Sequence, residues 1–245
     1  MNRFNSGDVV YGFHPVSESL EANIDISKIF LDREKKFPKD FLDKIIKKKI
    51  PISYVPKVKL SSFTKQNHQG IVAVISPIKF FDINKLIEIK SKKDNCTFLG
   101  LNGLTDIRNI GAIVRTAECV GVDAIIIDYK CGMINSDCMK SSAGALANVP
   151  ICRVKNFDSC IKTLKEKGVR ILGCSEKGNK NIFSYKLDGS IMFIMGNEEK
   201  GIEKKIIEML DDIVYIPMKN KISSLNVSVA SAIFLYENFR QNFKN

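Results

Sequence analysis

Three stretches of this chain place polar and charged residues at spacings that suit chemistry rather than a core. In the last third, Ile216-Pro217-Met218 is followed by Ser223-Ser224-Leu225-Asn226-Val227-Ser228-Val229-Ala230, so small polar residues interrupt an apolar, helix-forming run. A helix opening on Ser224 and Asn226 presents N-terminal amides and two side chains able to donate or accept, a place for a cofactor or an RNA oxygen. The plainer reading is that Ser223 or Ser224 only caps a helix running to about residue 239. A second stretch, Ile194-Met195-Gly196-Asn197-Glu198-Glu199-Lys200-Gly201-Ile202, sets two glycines five apart between an expected strand and an expected helix. It is not a phosphate loop, because Ile202 and Glu203 stand where Lys and Ser or Thr would be needed. No G-x-G-x-x-G follows an expected strand either, which excludes the usual dinucleotide site. With Glu198 and Glu199 inside, the loop repels phosphate and accommodates a cationic or neutral ligand. The third stretch is Leu104-Thr105-Asp106-Ile107-Arg108-Asn109-Ile110-Gly111-Ala112-Ile113-Val114-Arg115-Thr116-Ala117-Glu118.

Each of these residues also has a plain structural use. Arg115 and Glu118 are spaced as an i,i+3 surface pair worth a few tenths of a kcal/mol, and Asn109 suits a helix N-cap. Gly196 suits a turn with positive φ, Ile216 and Leu225 suit a core, and Glu198 suits solvent.

The elements that must position these residues fall into two groups. Across residues 9–76, helices are expected at 16–22 and 39–48 and strands at 28–31, 52–55 and 71–75, the pattern of a small α/β domain. Residues 77–95 are Lys-rich, with one possible helix at 82–90, and read as a linker. From residue 97 onward, apolar runs at 97–101, 124–127, 169–172, 191–195 and 213–216 alternate with helical segments. Such runs make a largely parallel sheet covered on both faces. In open sheets of this kind ligands bind beyond the carboxyl ends of the strands, where the stretches at 104–115 and 196–201 begin.

Composition narrows the partners. The 245 residues carry a formal net charge of +11, which fits a polyanion, since each Lys or Arg set on a phosphate releases counterions. Residues 1–95 hold 18 Lys/Arg against 11 Asp/Glu, and the rest hold 20 against 16, so the front is the more basic per residue. The excess is mostly Lys among Ile and Asn, a pattern that an AT-rich genome also produces. Seven cysteines without a CxxC pair or a nearby His indicate neither a disulfide framework nor a zinc site, and fit reduced thiols in a cytoplasmic protein. No metal, signal peptide or membrane span is expected; nowhere do 18 apolar residues run together.

Taken in order, the three stretches resemble the three motifs of the SpoU/TrmH family of RNA 2′-O-ribose methyltransferases. Tyr11-Gly12-Phe13-His14-Pro15-Val16 and His68-Gln69-Gly70-Ile71-Val72-Ala73 resemble the RNA-binding module of its rRNA branch. The resemblance implies an α/β protein in which a trefoil-knotted parallel-sheet methyltransferase domain at 96–245 follows a small α/β RNA substrate-binding domain at 1–76. It implies S-adenosylmethionine held by backbone groups at Gly196, Ile216 and Leu225, and catalysis by Asn109, Arg115, Glu198, Ser224 and Asn226. In that pattern Arg115 acts on the ribose hydroxyl; an arginine is a poor base, so it stabilises the developing alkoxide and binds phosphate. The implied substrate is a guanosine of large-subunit (23S) rRNA, free or in a pre-ribosomal particle, and the implied assembly is a homodimer through the knotted domain. Two rivals stand beside this, a tRNA 2′-O-methyltransferase and a non-catalytic RNA-binding ribosome-assembly factor. His14 and His68, the only histidines, read as turn or surface hydrogen-bonding groups, or as groups that stack on an RNA base. The chain departs from the family pattern at Ile107, where relatives carry Pro, and at Lys219-Asn220-Lys221, where a glycine turn is usual.

Overall fold

The computed structural model describes residues 9–219 and 224–243. The chain divides into two compact units, one comprising the chain to Lys79 with Met133–Asp137, the other Phe80–Gly132 and Cys138 onward.

The first unit runs β1 (Val9–Tyr11), α1 (Phe13–Glu21), β2 (Ile26–Asp32), α2 (Lys39–Lys47), β3 (Ile52–Val55), α3 (Lys57–Ser61) and β4 (Ile71–Ile75). Its sheet has the order β1-β4-β2-β3, with β2 and β3 parallel and the other pairs antiparallel. Alternation along the strands builds two cores. Ile29, Leu31 and Ala73 face α1 and α2, which contribute Val16, Leu20, Phe41 and Ile45. Phe30, Val72 and Val74 face the other way, against Leu60 and Phe63. The strand β1 and the helix α3 were not expected, because three and five residues are too short to show a period.

The chain continues with α4 (Ile83–Lys92), β5 (Thr97–Leu101), α5 (Ile107–Cys119), β6 (Ala124–Asp128), α6 (Ser136–Ser141), β7 (Ile151–Val154), α7 (Phe157–Glu166), β8 (Arg170–Cys174), β9 (Lys180–Asn181), β10 (Ile191–Met195), α8 (Lys204–Ile207), β11 (Asp212–Tyr215) and α9 (Val227–Asn242), all in the second unit except Ser136 and Asp137 at the start of α6. The sheet order is β7-β6-β5-β10-β8-β11-β9, and every pairing is parallel. One face packs Phe98, Ile126 and Met192 against Leu86, Phe157, Ile161 and Ile206 of the covering helices. On the other, Phe193 lies 6.3 Å, centroid to centroid, from Phe234 of α9. Burial on both faces explains the continuous apolar runs.

The segment expected as a linker is corrected in part. Phe81 forms a parallel bridge to Cys152, and α4 is capped by Asp82, whose Oδ1 accepts from the Asn84 N–H at 3.0 Å. Leu86 is fully buried, with Ile83 and Ile89 beside it on the same helix face. The surrounding lysines hide that three-residue apolar spacing from a reading by composition.

In this sheet β5, β10, β8 and β11 are neighbours. Because all are parallel, the loops after β5, β10 and β11 leave the same edge, and these loops are the three polar stretches of the sequence. Segments 89 and 117 residues apart in the chain, counted from Asn109 to Glu198 and to Asn226, are thereby made adjacent.

Candidate active site

At that edge lies a cavity of about 450 Å3, lined by Gly196, Glu198, Ile216, Ser224, Leu225 and Asn226 among others. Its size suits a cofactor-sized ligand. Apolar walls come from Ile202, Ile213, Met218 and Phe234, with the carboxylates of Glu198 and Glu199 at the loop.

A chain of hydrogen bonds joins the three motifs. Asp106 caps α5, its Oδ1 accepting from the Arg108 N–H at 2.8 Å. The carboxylate of Glu198 comes to the same helix end from the β10 loop, accepting from the Asp106 N–H at 3.2 Å and the Thr105 N–H at 3.4 Å. A carboxylate set on the unsatisfied amides of a helix start is favoured by hydrogen bonding and by the helix dipole. Asn109 Nδ2 donates to Glu198 Oε1 at 3.5 Å, and Asn109 Oδ1 accepts from Asn226 Nδ2 at 3.2 Å. Asn226 in turn caps α9, its Oδ1 accepting from the Ser228 N–H at 2.9 Å and from Ser228 Oγ at 2.6 Å.

Several plain readings are displaced by this geometry. Asn109 lies in the first turn of α5 but is not its cap, and α9 starts at Val227 with Asn226 as the cap rather than Ser224. Ser224 is exposed on the cavity wall; Ser223, Asn220 and Lys221 lie outside the described residues. Gly196 is not a positive-φ turn. It is a close approach: a Cβ there would stand 2.2 Å from the carbonyl carbon of Gly201 and 2.4 Å from the Ile202 nitrogen. The loop is pinned there by paired bonds, Asn197 N–H to Gly201 O at 3.0 Å and Gly201 N–H to Asn197 O at 2.9 Å.

Arg115 is the expected residue that the geometry does not gather in. It is exposed, does not line the cavity, and sits six residues beyond Asn109, about 9 Å along the helix and on another face. Nor does it pair with Glu118, which accepts instead from Asn148 Nδ2 at 3.3 Å. Its guanidinium makes no hydrogen bond or ion pair with the described residues.

Two contributions went unseen in the sequence. Asn197 donates from Nδ2 to Gly103 O at 2.8 Å and accepts at Oδ1 from the Glu199 and Lys200 N–H groups at 3.0 and 3.1 Å, fixing the loop's shape. Cys174, the last residue of β8, and Ser175, Glu176 and Lys177 after it line the cavity. Their position at a strand's carboxyl end was the available signal. Burial pushes the Cys174 thiol well up, so it is neutral wall rather than nucleophile. None of the seven cysteines is in a disulfide, and among the described residues no cluster of His, Cys, Asp and Glu is arranged to hold a metal. No helix among them is long and apolar enough to cross a membrane.

In the first unit the two quoted segments meet. Gly12 (φ 89°) donates from its N–H to Ile71 O at 3.2 Å, and Gln69 Oε1 accepts from the Phe13 N–H at 3.0 Å. His14 is exposed, whereas His68 is 6% exposed and belongs to the turn: its Nδ1 accepts from the Gly70 N–H at 3.0 Å and its Nε2 lies 3.3 Å from Ser61 Oγ. Burial first, then the charge of Lys57, holds its pKa below the ordinary value. Above about pH 6.5 the ring is neutral folded or unfolded, and the turn keeps its full stability. As pH falls below that, the unfolded chain takes up the proton first, so stability declines until the lower folded pKa is passed. His68→Asn, which keeps an acceptor without titrating, is expected to flatten the fall in melting temperature between pH 7.5 and 5.5. An unchanged slope would assign the fall to other groups.

Comparison with known proteins follows the same division. Residues 97–236 match the model of the SpoU rRNA methylase family, and residues 9–81 match that of RNA 2′-O ribose methyltransferase substrate binding. A protein of Staphylococcus aureus (strain COL) described as a putative TrmH family tRNA/rRNA methyltransferase is 32% identical, over 95% of this chain and 96% of its own. The 23S rRNA (guanosine-2′-O-)-methyltransferase RlmB of Vibrio cholerae is 31% identical, over 98% of this chain and 99% of its own. Among solved structures, the SpoU methyltransferase AviRb from Streptomyces viridochromogenes in complex with AdoMet shares the fold at a TM-score of 0.61 with 21% identity, over 95% of this chain and 89% of that one. The AdoMet-bound rRNA methyltransferase from Sinorhizobium meliloti gives 0.62 with 19% identity, over 97% and 88%.

Fold and family matches together define an RNA 2′-O-methyltransferase whose catalytic α/β unit is preceded by a substrate-binding unit. The chain belongs to the SpoU rRNA methylase family.

Proposed function

We propose that the protein transfers a methyl group from S-adenosylmethionine to the ribose 2′-hydroxyl of a guanosine in 23S rRNA. The observation that carries this reading is the hydrogen-bonded run Asn226–Asn109–Glu198, which ties the first motif to the second and third through two residues that line the cavity, Glu198 and Asn226. The cavity fits the cofactor: the backbone at Gly196, where a Cβ has no room, and at Ile216 and Leu225 would hold the adenosine, and the carboxylates of Glu198 and Glu199 complement a sulfonium. Bound there, S-adenosylmethionine supplies a methyl group already activated by its leaving group, so the chain's task is chiefly to position the hydroxyl. Glu198 locks the start of α5 to the β10 loop, and Asn109 and Asn226 set the distance between the first and third motifs. Ser224 offers a hydroxyl on the cavity wall. Arg115, uncommitted to any carboxylate of the described residues, is the group left to bind an RNA phosphate and stabilise the developing alkoxide. Arg115→Ala is expected to lower turnover by about a hundredfold with an unchanged melting temperature. A drop in melting temperature to match would make it a structural residue.

The guanosine of 23S rRNA is favoured by the Vibrio cholerae relative, aligned over nearly the whole chain with its substrate-binding unit included. An assembling ribosomal particle is a second form in which that RNA could be met, and the cytoplasm is the compartment this implies. The deciding experiment is transfer of labelled methyl to a 23S rRNA transcript beside bulk tRNA, mapped by resistance to alkaline hydrolysis. A resistant linkage after one guanosine of the rRNA supports the reading, and label in tRNA alone overturns the substrate. RNA bound without label in either would favour a non-catalytic assembly factor.

The reading extends to assembly and topology. Val229 and Tyr236, seven residues apart on α9, and Phe243 just past its end are 49%, 52% and 58% exposed, apolar surface that supports a homodimer through this unit. Light scattering should give twice the 27.5 kDa of one chain. A trefoil knot is supported by the strand order, since β10 and β11 enter between strands laid down before them. In the first unit, replacing Lys47, Lys48 and Lys49 with alanine is expected to weaken RNA binding and flatten the slope of log affinity against log salt by up to about three. An unchanged slope would leave the run a solvated helix end.

A further inference from the structure

We infer that Asn102 and Asp128 form a buried positioning pair that holds the cofactor loop in shape, an inference that rests on the methyltransferase reading above. Asn102 follows β5 and is 3% exposed; Asp128 ends β6 and is 6% exposed. Buried polar groups are costly unless bonded, and these two are bonded in one direction only. Asn102 Nδ2 donates to Asp128 Oδ2 at 3.1 Å, and Asn102 Oδ1 accepts from the Glu203 N–H at 3.2 Å. Its own backbone N–H donates to Met195 O at 2.9 Å. Asn102 therefore holds the residue before Gly196 and the residue after Ile202, the two ends of the loop that lines the cavity. Asp128 cannot turn away, because its Oδ1 accepts from the Lys130 and Cys131 N–H groups at 2.9 Å each. A carboxylate only accepts, so it orients the carboxamide, and the carboxamide oxygen is left to receive the loop.

The hollow of about 390 Å3 on the far side of the loop turns two of its three lysines onto its own carboxylates, Lys130 onto Glu203 at 2.5 Å and Lys205 onto Asp158 at 3.1 Å. The pair thus serves the loop. The titratable groups around it are Lys130, Cys131 and Glu203, with Tyr129, Lys155, Asp158 and Lys205 across the hollow.

The test uses the full chain, with S-adenosylmethionine titrated calorimetrically and amide exchange followed over residues 197–203. Asn102→Asp sets two carboxylates face to face. Binding at pH 8 is expected to weaken on the order of tenfold or more, and to recover toward pH 5.5 as the pair takes up one proton, with wild type changing little over that range. Adding Asp128→Asn reverses donor and acceptor while keeping every bond, and should restore affinity to within about threefold of wild type. A merely structural role would lower the melting temperature without creating this pH dependence. Wild-type affinity in Asn102→Asp at pH 8, or a double variant no better than the single, overturns the inference. If the single variant does not fold, Asn102→Ala, which removes the tie without adding charge, must show faster exchange at 197–203 and weaker binding, and wild-type values there overturn the inference. If wild type itself binds no S-adenosylmethionine, the methyltransferase reading fails, and exchange at 197–203 still decides whether the pair holds the loop.

Discussion

Asn226→Ala is expected to cut methyl transfer by two orders of magnitude or more while shifting the melting temperature by only a few degrees. The two effects have separate origins in one side chain. Oδ1 caps α9 through the Ser228 N–H, and losing a cap costs about 1 kcal/mol, roughly 2–4 °C in a chain of this size. Nδ2 reaches Asn109 Oδ1 at 3.2 Å and is the direct side-chain tie between the third motif and the first. Without it the walls of the site are free to drift, and a displacement of about 1 Å is enough to cost a hundredfold in a reaction governed by positioning. Asn226→Asp separates the two roles, since a carboxylate keeps the cap and cannot donate. It should melt like wild type and still lose most of its turnover, as measured by single-turnover methyl transfer. Wild-type turnover in that variant would remove the Asn226–Asn109 bond from the account.

Gly196→Ala is the second large effect, and it should appear in binding. The added methyl would meet backbone atoms of Gly201 and Ile202 at 2.2–2.6 Å, and backbone cannot swing aside as a side-chain tip can. Relief requires opening the Asn197–Gly201 pair that closes the loop. Overpacking of this kind costs about 1–3 kcal/mol. The loop that opens is the cavity wall, so affinity for S-adenosylmethionine should fall by on the order of a hundredfold, with a lowered melting temperature. Calorimetric titration beside a thermal scan reads both, and unchanged affinity would mean that the loop can open without disturbing the site.

Much of this was legible in the residues because it depends on local pattern. The runs at 97–101 and 191–195 match β5 and β10 to the residue, since strands buried on both faces leave uninterrupted apolar signatures. The short β1 and the edge strand β7 were harder, being brief, and the helix expected at 82–90 does form as α4, but lysines cloaked the apolar face that it buries. At the site, residue types were readable but bonding partners were not. Nothing local shows that Asn109 lies beside Glu198 and Asn226, because the sheet order that brings them together is a long-range property. Gly196 shows the same limit: its glycine requirement was visible, but its cause is a contact with Gly201 rather than its own φ. Asn102 was passed over because a lone Asn after a strand is unremarkable until Asp128 is seen beneath it.

The Phe81 bridge bears on how the catalytic unit can be cut from the rest. Strand β7 is the outermost member of its sheet, and such margins recruit other molecules when left bare. Here the Phe81 N–H reaches Ile151 O and Phe81 O receives the Arg153 N–H, both at 2.9 Å, so the stretch leading into the second unit serves as its selvedge. A fragment started at residue 80 keeps that border, whereas one started at residue 96, where composition invites the cut, loses it along with Leu86 and leaves a raw margin on which copies can stack into insoluble ribbons.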